Sequence, residues 1–253
     1  MKCQHIPNKQ SDVAIVFLHG WCCHHDDFKA QVDFFKNQFA IILPDYTDFI
    51  LEKVELGEII NFTDCIDQVA ECIQSFEYSK LIIIGHSMGG AIALSLALKF
   101  HSQLCALFIL DTTISSDISN DTQVFLDKIT KHEGEQNFLK TMKKLFVSEK
   151  YDNLILMNQK IVSMCEVWKK APKVFSNLLY QAILVDKVQQ LKALEIAALY
   201  LTSVATTYRA DIVKAASEKI KIEYLSSGHF LMLNASDELN QLIYNKIYYN
   251  SIR

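Results

Sequence analysis

One segment constrains this chain more than any other: Leu81-Ile82-Ile83-Ile84-Gly85-His86-Ser87-Met88-Gly89-Gly90-Ala91-Ile92-Ala93. Four apolar β-formers, a serine flanked two residues away on each side by glycine, and an Ala/Leu-rich run read as strand, sharp turn and helix. The glycines permit close backbone approach around a turn so tight that the serine is strained and its Oγ projects above the strand end. Ser87 is therefore the candidate nucleophile.

The rest of the chain supplies a sheet for that strand. Short apolar runs recur at Val13 to Leu18, Phe39 to Leu43, Leu81 to Gly85, Cys105 to Leu110, Ile196 to Leu201 and Ile220 to Leu225. Several are continuous rather than alternating, as expected for parallel strands covered on both faces. Helical periodicity is clearest in Phe62 to Phe76, Ala91 to Phe100 and Asp237 to Tyr248. The class is α/β, with a mostly parallel central sheet and helices on both faces. Thr112 to Leu191 reads as helical throughout and predicts an inserted cap above the carboxyl edge of the sheet, where open α/β sheets bind ligands. The organisation expected is a core first part at 1–111, a helical cap at 112–191 and a core second part at 192–253.

Composition limits the partners. Lys plus Arg, 25, against Asp plus Glu, 29, gives a net charge of −4, which argues against nucleic acid or anionic lipid. Lys143-Lys144 and Lys169-Lys170 read as solvated helix faces. The N-terminus has no apolar signal core and no run approaches a membrane span, so a soluble protein is expected. Seven cysteines, odd in number and without framework spacing, read as packing residues of a cytoplasmic protein.

With the elbow at Gly85-x-Ser87-x-Gly89, two further segments make the chain resemble the α/β-hydrolase family over most of its length. Val13-Ala14-Ile15-Val16-Phe17-Leu18-His19-Gly20-Trp21 is similar to the family's strand and His-Gly loop. The resemblance implies that the backbone N–H of Trp21 forms half of an oxyanion hole, with the N–H of Met88 at the helix N-terminus as its partner. Leu225-Ser226-Ser227-Gly228-His229-Phe230 is similar to the loop that carries the family's histidine, which makes His229 the expected general base.

The third triad member departs from the family's usual pattern. The acid usually follows the strand read here as Ile196 to Leu201, but Thr202-Ser203-Val204-Ala205-Thr206-Thr207 holds no carboxylate. A less common arrangement places it after the preceding strand, where Asp111 stands. Asp211 is a second candidate, and a Ser-His dyad with Ser203 or a backbone carbonyl orienting His229 is a third. His86 and His19 read as loop-shaping residues. Cys22-Cys23-His24-His25-Asp26-Asp27 resembles a metal site in composition, but its consecutive ligands read as a loop entering the first helix. Leu43-Pro44-Asp45-Tyr46-Thr47-Asp48-Phe49 lacks the glycines of the family's Pro-Asp-x-x-Gly turn, and Asp45 reads as structural.

The expected activity is a serine hydrolase acting on a small to medium carboxylic ester through an acyl-enzyme on Ser87, with no metal or organic cofactor. Carbon–carbon or thioester cleavage on the same scaffold, or a ligand-binding protein with a degenerate triad, are the alternatives. Phe125, Leu126, Phe138, Leu139, Met142, Leu145, Phe146, Met157, Met164, Trp168, Phe175, Leu178 and Leu179 supply apolar cap surface for packing or for an acyl pocket. The layout also resembles pimeloyl-acyl-carrier-protein methyl ester esterases, which implies an acyl carrier protein as a partner, with Lys140, Lys143 and Lys144 as docking candidates.

Overall fold

The computed structural model describes residues 1–114, 127, 134–204, 213–214 and 218–250. Its centre is a seven-stranded sheet made of β1 (Lys2–Ile6), β2 (Val13–Leu18), β3 (Ala40–Asp45), β4 (Lys80–His86), β5 (Leu104–Leu110), β6 (Ala198–Ser203) and β7 (Ile220–Leu225). The order is β1-β3-β2-β4-β5-β6-β7; β1 runs antiparallel to β3 and all other pairs are parallel. The apolar runs of β2, β4 and β5 are buried almost throughout, because helices cover both faces and leave no solvated side to alternate with.

The helices are α1 (Lys29–Phe35), α2 (Tyr46–Glu55), α3 (Phe62–Gln74), α4 (Met88–Lys99), α5 (Glu135–Phe146), α6 (Leu154–Trp168), α7 (Pro172–Leu184), α8 (Lys187–Ala193), the short α9 (Leu231–Asn234) and α10 (Ser236–Asn250). A 3₁₀ turn, His25–Phe28, precedes α1. Local chemistry starts several of them. Asn61 and Asp64 form a reciprocal capping box on α3, Asn153 caps α6, and Pro172 occupies the first turn of α7, where no N–H is needed. Central α4 is buried at nine positions between Met88 and Ala97, so it is apolar on every side rather than along one stripe. No helix among the described residues is long and apolar enough to cross a membrane.

Two elements differ from the sequence expectation. Edge strand β1, Lys-Cys-Gln-His-Ile, carries no apolar pattern, being half-exposed and paired within the sheet to β3 alone. Helix α2 occupies what reads as a loop, because the Asp45 carboxylate accepts the Asp48 N–H at 3.1 Å and caps it. The cysteine reading also needs correction. Cys3 and Cys72 form a disulfide between β1 and α3 with Cα atoms 6.4 Å apart, so the cysteine pattern no longer argues for a reducing compartment. Cys22, Cys23, Cys65 and Cys165 are buried free thiols, and burial raises the thiol pKa of all four.

Candidate active site

Ser87 stands between β4 and α4 with φ 53° and ψ −117°, one of three non-glycine residues of positive φ among those described. That conformation is costly for an L-residue and persists because its surroundings fix it. Ser87 N–H donates to Leu110 O at 2.9 Å, and Thr112 Oγ1 donates to Ser87 O at 3.1 Å. The flanking glycines are required by contact: a Cβ on Gly85 would overlap Gly89 O, and one on Gly89 would overlap Leu18 O and His19 O. Ser87 is half-buried, and its Oγ has no hydrogen-bond partner among the described residues.

The same close packing at Gly89 brings the first turn of α4, with the Met88 N–H, against the end of β2 and the loop carrying Trp21. First-turn N–H groups of a helix have no intrahelical acceptor and face whatever lies ahead of the helix. Trp21 and Met88 are both buried. The Trp21 side chain reaches away, donating Nε1–H to Phe175 O at 2.7 Å and packing near Phe138.

His229, in the loop after β7, is 4% exposed. Its Nδ1 lies 2.6 Å from Oδ2 of Asp111, which is fully buried at the end of β5. Asp111 also has positive φ, 43°. Its N–H donates to Leu201 O at 2.7 Å, and its Oδ1 accepts Thr202 Oγ1–H at 2.8 Å. The carboxylate that meets His229 thus directly follows β5, and β6 supplies a hydroxyl donor to it. Ser203 turns its Oγ to Ser227 O, and Asp211 lies outside the described residues.

Residues whose contact with the His229 loop the sequence does not reveal support it. Phe146, the last residue of α5, stacks on the imidazole with centroids 4.4 Å apart and planes at 18°, and its carbonyl accepts His229 N–H at 3.1 Å. Asp152 bridges two backbones, accepting Gly228 N–H at 2.6 Å and Ser148 N–H at 2.8 Å; a Cβ on Gly228 would strike its carboxylate. His86 lies 3.0 Å from His229 O through Nε2, and since a carbonyl only accepts, that nitrogen donates. Burial, reinforced by His229, holds the His86 pKa well below the usual histidine range, so the ring is neutral.

Of the apolar residues singled out above, Phe138, Met142, Met157, Met164, Trp168, Phe175, Leu178 and Leu179 are buried in the common core, Leu139 and Phe146 pack partly buried against it, and Leu145 is exposed; Phe125 and Leu126 lie outside the described residues. Two cavities, of about 240 and 230 Å³, are lined by residues at the amino ends of β4 and β5 and just before β6. Neither borders Ser87, which sits at the opposite edge.

The family model described as alpha/beta hydrolase fold matches residues 13–131. A protein of Acinetobacter baylyi named for carbamate hydrolysis, RutD, is 28% identical over 96 residues, 38% of this chain and 36% of that protein. The chain thus matches about a third of the length of that curated relative. Among solved structures, a lipase-esterase related protein from Clostridium acetobutylicum has a TM-score of 0.73 at 23% identity, covering 96% of this chain and 98% of that one. A thermophilic esterase from Thermogutta terrifontis has a TM-score of 0.75 at 17% identity, covering 96% and 91%. MenH from S. aureus has a TM-score of 0.73 at 18% identity, covering 96% of both. Identities this low speak for the fold alone, and the sheet topology, the elbow and the family model agree on it: the chain has the α/β-hydrolase fold.

Proposed function

We propose that this chain is a serine hydrolase that cleaves small to medium carboxylic esters through an acyl-enzyme on Ser87. The observation that carries the reading is the 2.6 Å contact between His229 Nδ1 and Asp111 Oδ2, on a histidine whose loop lies at the same sheet edge as Ser87. Asp111 holds the tautomer with hydrogen on Nδ1, leaving Nε2 to take the Ser87 proton as Oγ attacks the carbonyl. The N–H groups of Trp21 and Met88 stabilise the oxyanion. His229 then returns its proton to the departing alcohol, activates a water against the acyl-enzyme and restores Ser87 as the acid leaves.

The described helices of the 112–191 block, α5 to α7, act as a cap over this edge, and their apolar side chains set the acyl length accepted. The reading of a degenerate triad loses its motive, because an acid does meet the histidine. A carbamate is the second reading, favoured by the 96-residue match to the Acinetobacter protein.

The test is hydrolysis of p-nitrophenyl esters from acetate to decanoate by wild type and Ser87→Ala. Ser87-dependent turnover with an optimum at short or medium chain length supports the reading. Turnover of a carbamate with none across the ester series replaces it with the second.

A further inference from the structure

The start of helix α2 closes on both ends of the turn that carries Trp21. Gly20 to Cys23 form a four-residue turn in which Cys23 N–H donates to Gly20 O at 3.2 Å. Its third residue, Cys22, has φ 52°, a left-handed conformation that a non-glycine residue keeps only where its surroundings fix it. Tyr46 and Thr47, the first two residues of α2, supply that fixing. Tyr46 donates its hydroxyl hydrogen to His19 O, just before the turn, and stacks its ring on the His19 imidazole with centroids 3.8 Å apart and planes at 18°. Thr47 donates Oγ1–H to Cys23 O, at the far end, at 2.7 Å. Both residues are buried, and burial holds the Tyr46 phenol well above its ordinary pKa, so it stays a donor.

One peptide plane carries the effect to Trp21. His19 Nδ1 is 3.0 Å from Gly20 O; a carbonyl only accepts, so the ring donates, and Gly20 O takes this bond together with the one from Cys23. The peptide bond between Gly20 and Trp21 is trans, and in a trans peptide the N–H points opposite to the C=O. Two donors on Gly20 O therefore fix where the Trp21 N–H points, and they polarise the amide into a stronger donor. That N–H has no acceptor among the described residues, although Trp21 is only 3% exposed. Unpaired buried N–H groups are rare, and one fixed from behind by two bonds is free to meet an oxygen brought by a substrate. Gly20 lies against His86, the residue before Ser87: a Cβ on Gly20 would stand 2.9 Å from His86 Nδ1.

We propose, resting on the acyl-enzyme reading above, that Tyr46 and Thr47 are positioning residues for the oxyanion hole. Neither touches a reacting atom. Tyr46 acts through His19 and the Gly20 carbonyl, Thr47 acts through the Cys23 carbonyl, and together they hold the turn in the shape that aims the Trp21 N–H.

The probe is a fluorophosphonate, which forms a P–O bond to the serine, releases fluoride and needs its phosphoryl oxygen held as an ester oxyanion is. Saturation kinetics of labelling, with the modified residue identified by mass spectrometry, are compared for full-length wild type, Tyr46→Phe and Thr47→Val, with folding checked by circular dichroism. Each variant removes one hydroxyl and keeps the side-chain shape. Each should lower the limiting labelling rate by ~10–100-fold, with the half-saturating probe concentration changed by less than about three-fold, a split that a general loss of packing would not give. Thr47→Ser, which keeps the donor, should recover most of the loss. A limiting rate within about two-fold of wild type in either Tyr46→Phe or Thr47→Val overturns the proposal and leaves the hydrolase reading standing, because Ser87 is still labelled. An effect confined to the half-saturating concentration does the same. No labelling of Ser87 in wild type overturns the hydrolase reading and this proposal with it.

Discussion

Ser87 and Asp111 share a backbone feature: both are non-glycine residues at positive φ, 53° and 43°. Each lies at the carboxyl end of a parallel strand where the chain must leave the sheet within one residue, and each is fixed by a backbone bond from its own N–H, to Leu110 O and Leu201 O respectively. The serine was legible because glycine spacing advertises the turn. The aspartate was legible only as one of several candidates, since a carboxylate at a strand end serves equally as a loop brace. The proximity of His229, 118 residues later, favours Asp111 among them, and sequence order cannot supply that. If Asp111 holds the imidazole tautomer, Asp111→Asn, nearly isosteric and able to keep the Thr202 bond, should lower kcat by ~10³–10⁴ with little change in Tm. Steady-state kinetics on the best p-nitrophenyl ester checks it, and activity within a few-fold of wild type would remove Asp111 from the site.

At the scale of elements, the parallel strands and the amphipathic α3 followed from periodicity because their burial is strong and uniform. β1 and α2 did not, because neither depends on its own apolar pattern: β1 is a partly exposed edge held by β3, and α2 starts from one carboxylate cap. The turn between α5 and α6 was equally hidden. Its Asp152 is one acidic residue among many until the Gly228 N–H is seen 2.6 Å away. Asp152 touches no reacting atom and acts through the His229 loop. Asp152→Ala should therefore lower kcat by ~10–100-fold, as misplacing a general base by about 1 Å does, with KM changed less. Asp152→Asn, which keeps an acceptor, should recover much of the loss. Equal kcat in Asp152→Ala and wild type would leave the turn a packing feature.

For the molecule as a whole, the question is what joins residues 134–193 to the sheet, since the sequence predicts a helical block there but not its attachment. The described contacts are polar as well as apolar: Trp21 Nε1 to Phe175 O, Phe62 N–H to Gln181 Oε1 at 2.7 Å, and the ion pair of Lys160 in α6 with Asp27 beside α1. The ion pair is nearly dry, with side chains 8% and 12% exposed and Nζ 2.8 and 2.5 Å from the two carboxylate oxygens. Burial lowers the pKa of the ammonium, but its interactions with the neighbouring Cys23 and Asp27 outweigh this and leave the Lys160 pKa raised. Burial pushes the Cys23 thiol up to about 12, so near neutral pH it is uncharged and Asp27 is the counter-ion. Removing one partner of such a pair strands the other charge. Lys160→Ala should destabilise by about 3–5 kcal/mol in urea unfolding, while the apolar replacement of both, Lys160→Met with Asp27→Leu, should recover most of that. A double variant no more stable than the single one would mean that the junction depends on the charges themselves, not on filling the space between α6 and the loop before α1.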